Sequence, residues 1–229
     1  MEFSEAMSSL ESAGTAQNRK IYARHGVRGA MFGVSYAALG KLARRIKKDH
    51  PLAKALWASG NHDARVLATQ VADPAAATSA LLEAWRKDLD NYVLTDAFVK
   101  YVSQTSLADQ KIAQWTSKKA EWTAGAGWSL LAYRARSLDW SQKDLAAFLP
   151  IIEAEIHQAK NRVRHSMISA LIAIGIRGGQ LQKKAVAAAK RIGPVEVDHG
   201  ETGCKTPDPI PYIAKAMARR IDGYGPVAP

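Results

Sequence analysis

An aromatic ring and a carboxylate one helical turn apart, Tyr92 and Asp96, form the first pair in this chain whose chemistry could act on a ligand. Apolar residues recur at helical spacing between 91 and 104. Leu94, Ala97, Phe98 and Tyr101 share one face, and Tyr92, Asp96, Val99 and Ser103 are expected on the other. A ring beside a carboxylate suits an electron-poor or cationic ligand, through cation–π attraction and through charge. Taken alone, the residues favour a plainer reading, a solvated aspartate or one bridged to a nearby lysine or arginine.

Three more segments carry candidate chemistry. In the helix expected over 121–137, Trp122, Gly125, Ala126, Ser129, Tyr133 and Arg136 share a face. Gly125 and Gly127 each cost about 1 kcal/mol relative to alanine in a helix interior. A small-residue stripe between aromatics fits either the close approach of a ligand or tight helix packing. Lys160, Arg162, Arg164 and His165 cluster where a helix opens, and free backbone N–H groups there would welcome a phosphate. The alternative is pairing with Glu153 or Glu155 on the preceding helix. The loop from Val197 to Lys205 gathers Asp198, His199, Glu201 and Cys204, yet one cysteine and one histidine are too few for a zinc pattern, and Gly200 and Gly203 suggest tight turns. No metal site and no cofactor is expected. The phosphate-binding loop of nucleotide hydrolases, the dinucleotide glycine fingerprint and the HExxH zinc motif are all missing from the sequence.

The elements that must position these residues read as helices throughout. From Ser35, a plausible N-cap in type, to Lys48, one face carries Tyr36, Leu39, Leu42, Ala43 and Ile46, and the other carries Lys41, Arg44, Arg45, Lys47 and Lys48. Pro51 opens a helix that Ser59-Gly60 closes, Asn61 caps the next, Asp73-Pro74 caps another through Trp85, and Asp90 begins the helix of Asp96. Further helices are expected near 107–117, 142–158, 161–175, 179–192 and 211–221. Short loops make sequential helices neighbours, and pairs recur about every 30–40 residues, the spacing of HEAT-type repeats. The expected architecture is an all-α helical-repeat solenoid, with a compact orthogonal bundle as the competitor. The domain reading is a loosely ordered N-terminus over 1–15, one helical domain over 16–222 with a long loop at 193–210, and a C-terminal tail over 223–229.

Composition bounds the partners. The 229 residues carry 32 Lys plus Arg against 21 Asp plus Glu, a formal charge of +11 that favours polyanions such as nucleic acid. The single cysteine excludes an intramolecular disulfide and fits a reducing, cytoplasmic setting. The acidic start, Met1 to Glu5, is no signal peptide. The longest apolar run, 167–176, is far short of the ~20 residues that span a bilayer, so no membrane association is expected.

Several segments together resemble the AlkD-like DNA alkylation-repair family: Phe32-Gly33-Val34-Ser35, Leu56-Trp57 with Asp63-Ala64-Arg65, Asp90-Asn91-Tyr92 with Asp96, Asn161-Arg162-Val163-Arg164, and the Val197-to-Asp208 loop. The resemblance covers about residues 20 to 220 and has the features of a divergent branch. It implies HEAT-like repeats with a concave basic face that holds double-stranded DNA. It also implies an alkylpurine DNA glycosylase in which an aspartate stabilises the sugar cation as an N3- or N7-alkylated purine departs, while aromatics pack on the sugar and backbone and an arginine contacts phosphate. Carried over, Asp96 matches the catalytic aspartate and Tyr92 stands where active members have tryptophan. Gly125 stands where an arginine is expected three residues after Trp122, and Ser169 where a second tryptophan is expected. Candidate substrate or DNA contacts are Tyr92, Trp122, Tyr133, Arg136, Lys41, Arg44, Arg45, Lys48, Arg162, Arg164 and His165. The sequence thus supports a repair glycosylase using Asp96, or a non-catalytic module for bent, branched or damaged DNA, and, ranked below both, a scaffold presenting the Trp122/Tyr133 stripe to a protein. A monomer is expected.

Overall fold

The structure, a computed structural model, describes residues 1–136 and 141–221. Among them the regular elements are helical, with one isolated bridge between Gly14 and Val34. In order they are α1 (Phe3–Ala13), α2 (Ala16–Arg24), α3 (Tyr36–Ile46), α4 (His50–Ala58), α5 (His62–Val71), a 3-10 turn (Pro74–Ala76), α6 (Ser79–Lys87), α7 (Tyr92–Val102), α8 (Ala108–Thr116), α9 (Glu121–Arg134), α10 (Gln142–Ala146), α11 (Phe148–Glu155), α12 (Asn161–Ile176), α13 (Gly179–Ile192) and α14 (Pro209–Ile221). The chain divides into two compact units, Met1–Lys111 with Gly200–Thr202, and Ile112–His199 with the chain from Gly203 onward. The end of the helix expected to reach residue 137 and the tail expected over 223–229 lie outside the described residues.

In the first unit, local chemistry sets the helix starts. The side chains of Thr15, Ser35, Asp49, Asn61 and Asn91 each accept a backbone N–H in the first turn of the helix that follows. Two readings need correction. Residues 1–15 are not loose: α1 packs on α3, α4 and α5, and Ala6 and Leu10, one turn apart, are fully buried. Asp73-Pro74 caps only a 3-10 turn, because Asp73 closes a two-residue bond to the Ala75 N–H. The following helix starts later, where Thr78 accepts the Leu81 N–H.

A buried carboxylate pins the entrance to α3. Asp63 is fully buried and accepts N–H bonds from Phe32 (2.7 Å), Gly33 (3.0 Å) and Val34 (2.8 Å). Gly33 has φ 79°, and a Cβ there would meet Thr15 O at 2.6 Å, so only glycine fits the turn. Deeper in, the rings of Trp57 and Trp85 stack 4.3 Å apart and almost parallel, with Trp57 Nε1 donating to Asp88 at 2.7 Å. Lys111 is 1 % exposed and donates to Glu83 (2.7 Å) and Ser79 (2.8 Å), so its charge is buried with a partner.

In the second unit α9 lies against α12, and α13 and α14 pack on α12. Gly127 permits the close approach of α9 to the end of α8: a Cβ there would stand 2.6 Å from the Thr116 backbone nitrogen. The single helix expected over 142–158 is two, because Pro150 lacks an N–H and its ring collides with the carbonyl four residues back, where α10 ends at Ala146.

Candidate nucleic-acid interface

Asp96 sits exposed on α7, one turn after Tyr92, which is half-buried. Tyr92 rests on a small apolar cluster of Tyr22, Val27, Val93 and Met31, and its hydroxyl is hydrogen-bonded to His25 Nδ1. Val99, expected on the same face as Asp96, is fully buried instead, because the shielded arc of α7 is wider than one stripe. Tyr36 departs the other way. Counted among the apolar residues of α3, it is 51 % exposed. Crowding around its hydroxyl, then the nearby Tyr22, Asp96, Asp63 and Tyr92, holds that hydroxyl above the ordinary tyrosine range. Half of the residue is open to water while its hydroxyl feels the Asp96 charge. The candidate site on this unit is therefore a carboxylate near two tyrosines from different helices. The periodicity of α3 hid Tyr36; its place in the first turn after the Ser35 cap was the available signal. Beside it, a cleft of about 430 Å³ is lined by Tyr36, Gly40, Lys48, Gln70, Lys100 and Tyr101 among others.

The four cations singled out on α3 and just beyond it differ in their engagement. Lys41 and Arg44 are exposed and, among the described residues, in no ion pair. Arg45 pairs with Glu5 at 3.1 Å on the surface. Lys48 donates to the carbonyls of Gln70 (3.3 Å) and Ala72 (3.0 Å), closing the C-terminal end of α5.

In the second unit, Trp122 and Tyr133 are half-buried, and the Arg136 guanidinium lies over the Tyr133 ring at 5.4 Å. The small-residue stripe of α9 faces α12. A Cβ on Gly125 would meet Ser166 Oγ at 3.6 Å, and Ser129 donates to the same Ser166 hydroxyl at 3.0 Å. Ser169 donates to the His165 carbonyl within α12. At the start of α12, Glu121 accepts the Arg162 N–H at 2.8 Å, so a carboxylate already meets this helix end. Glu153, offered as a partner for this cluster, is gripped by Arg191 through two bonds of 2.6 and 2.8 Å. Arg164 reaches the carbonyls of Ala159 (2.8 Å) and Glu196 (3.1 Å). The rings of His165 and His199 meet edge to face at 5.5 Å, and His199 Nε2 is 2.8 Å from Thr206 Oγ1. Burial, then Arg162 and His199, hold the His165 imidazole down to about 4, so it is neutral at physiological pH. Cys204 is exposed, and no group of three His, Cys, Asp or Glu residues among the described residues is arranged to hold a metal ion. No helix among them is long and apolar enough to cross a membrane.

Comparison with known proteins places this arrangement in a family. Two uncharacterised proteins, from Listeria innocua and Listeria monocytogenes, are each 30% identical to this chain over 223 residues, covering 95% of it and 98% of their own length. A solved structure described as a new family of proteins related to the HEAT-like repeat DNA glycosylases with affinity for branched DNA structures superposes with a TM-score of 0.88. It is 28% identical and covers 96% of this chain and 95% of its own. The helices described above are therefore those of a HEAT-like repeat fold. The family model for DNA alkylation repair enzymes matches residues 6–201, and this chain belongs to that family.

Proposed function

We propose that this protein binds DNA, preferring branched or distorted duplexes to regular linear ones. The reading rests on the near full-length likeness to a protein with affinity for branched DNA. The +11 charge and the exposed Lys41 and Arg44 support it. Two observations favour it over base excision. Gly125, where active relatives are expected to carry an arginine, faces Ser166 in the packing between α9 and α12. Ser169, in place of the second tryptophan, spends its hydroxyl on a helix carbonyl. Binding of a four-way junction and of a linear duplex of equal length, titrated with salt, tests the proposal. Tighter junction binding that weakens steeply with salt is expected. Undetectable or salt-insensitive binding to both forms rules it out.

A second reading, excision of cationic N3- or N7-alkylated purines, is favoured by Asp96 standing exposed beside Tyr36 and Tyr92. In that reaction the N-glycosidic bond breaks and its electron pair leaves with the purine, neutralising it. The Asp96 carboxylate stabilises the sugar cation, and water adds to C1′ and loses a proton. Release of 7-methylguanine by the unmodified protein, abolished in Asp96→Asn with DNA affinity retained, is the expected result. No release from several alkylated substrates eliminates this reading.

A further inference from the structure

A cleft of about 360 Å³ in the second unit is bounded by the first turns of two helices, α9 and α12. Lys118 and Lys119, just ahead of α9, and Lys160, just ahead of α12, line it. All three side chains are exposed, and among the described residues none of the three ammonium groups has an ion pair or hydrogen bond. Neither helix is capped by its own N-cap side chain, since these positions are Ala120 and Lys160. The positive ends of two helix dipoles thus add to three cations. Trp128 also lines the cleft; it is 1 % exposed, and its indole N–H finds no acceptor among the described residues. Opposing charge comes from Glu121, which accepts the Arg162 N–H, and from Glu155, exposed on the rim.

We infer that this cleft is a phosphate-binding site. The chemistry is an oxyanion with several acceptor oxygens, met by three point charges at the positive ends of two helix dipoles. Its assignment to a phosphodiester of a DNA arm rests on the DNA-binding reading above, whereas the phosphate chemistry does not. The sequence alone points to a phosphate contact in the cluster of Lys160, Arg162, Arg164 and His165. The cleft keeps Lys160 and adds Lys118 and Lys119, which lie ahead of a helix that starts about forty residues earlier in the chain.

The test compares the full chain with the variant Lys118→Ala/Lys119→Ala/Lys160→Ala and with a charge-matched control on α13, Lys183→Ala/Lys184→Ala/Lys190→Ala. Two quantities are read: the salt dependence of four-way-junction affinity, and the rise in Tm produced by inorganic pyrophosphate. The cleft variant is expected to lose tenfold or more in junction affinity at moderate salt. The slope of log K against log salt should fall by about 0.9 for each phosphate contact removed. The pyrophosphate stabilisation should vanish while the control stays near the unmodified protein, and Glu155→Gln should enhance it. Loss of the pyrophosphate effect with unchanged junction binding supports the phosphate site and identifies its ligand as a free phosphate compound. If the cleft variant matches the control in both measurements, the inference is overturned. If the unmodified protein binds no DNA at all, the DNA reading fails separately and the pyrophosphate comparison decides the cleft alone.

Discussion

The Asn161 carboxamide and the Asp198 backbone hold each other through two hydrogen bonds: Asn161 Nδ2 donates to the Asp198 carbonyl at 2.7 Å, and the Asp198 N–H donates to Asn161 Oδ1 at 2.7 Å. The first residue of α12 thereby stands in for a neighbouring strand and anchors the long segment between α13 and α14. Arg164 adds a bond to Glu196 O, and His199 meets Thr206 within the same segment. Asn161→Ala removes both amide bonds. It should cost about 1–2 kcal/mol, as exposed bonds do, and speed tryptic cleavage after Lys205. A cleavage rate equal to that of the unmodified protein, followed by mass spectrometry, counts against the anchor.

Asp63→Asn tests the pin at the entrance to α3. The carboxylate serves three N–H donors with two oxygens. A carboxamide keeps one oxygen and turns an NH₂ group toward N–H donors that then lose their acceptor. The expected loss is roughly 3 kcal/mol, in the range for bonds to a buried charge, read as a lower urea midpoint. A loss below about 1 kcal/mol would mean the turn is held mainly by Gly33 and its neighbours.

Two glycines of α9, two residues apart, should respond with opposite sign. Gly127→Ala puts a methyl 2.6 Å from the Thr116 nitrogen, which is backbone and cannot swing aside. It should destabilise by roughly 2–3 kcal/mol or more. Gly125→Ala meets Ser166 Oγ at an ordinary 3.6 Å and gains helix propensity, so it should be neutral or stabilising by up to about 1 kcal/mol. Thermal melts of the two variants side by side give the answer, and equal shifts would refute the packing account.

Stability should fall as pH drops from 6.5 toward 4. The His165 imidazole is held down to about 4 in the folded protein by burial, then by Arg162 and His199. In that window the unfolded chain binds the proton and the folded one does not, so the neutral form's contribution is full above 6.5 and lost on acidification. The contribution is on the order of 2–3 kcal/mol at most. Urea melts between pH 7 and 4, repeated with His165→Gln, should show a flatter profile for the variant. An NMR titration of His165 with a midpoint near 6.5 would contradict the assignment.

The sequence by itself determined the all-helical class and most helix starts, because capping and periodicity are local. Ser35, Asn61 and the α12 and α13 boundaries need no distant residue to be read. It also brought Tyr92 and Asp96 together, since residues four apart on a helix are neighbours whatever surrounds them. Whether a face is buried was decided elsewhere. Val99 went inside and Gly125 faced Ser166 because of helices packed against them from another part of the chain, whereas Tyr36 was left half open to water. Glu121 at the start of α12, Lys48 on the end of α5, and the gathering of Lys118, Lys119 and Lys160 are long-range pairings. No spacing along the sequence encodes them, because a side chain's partner is fixed by which helices meet and at what offset.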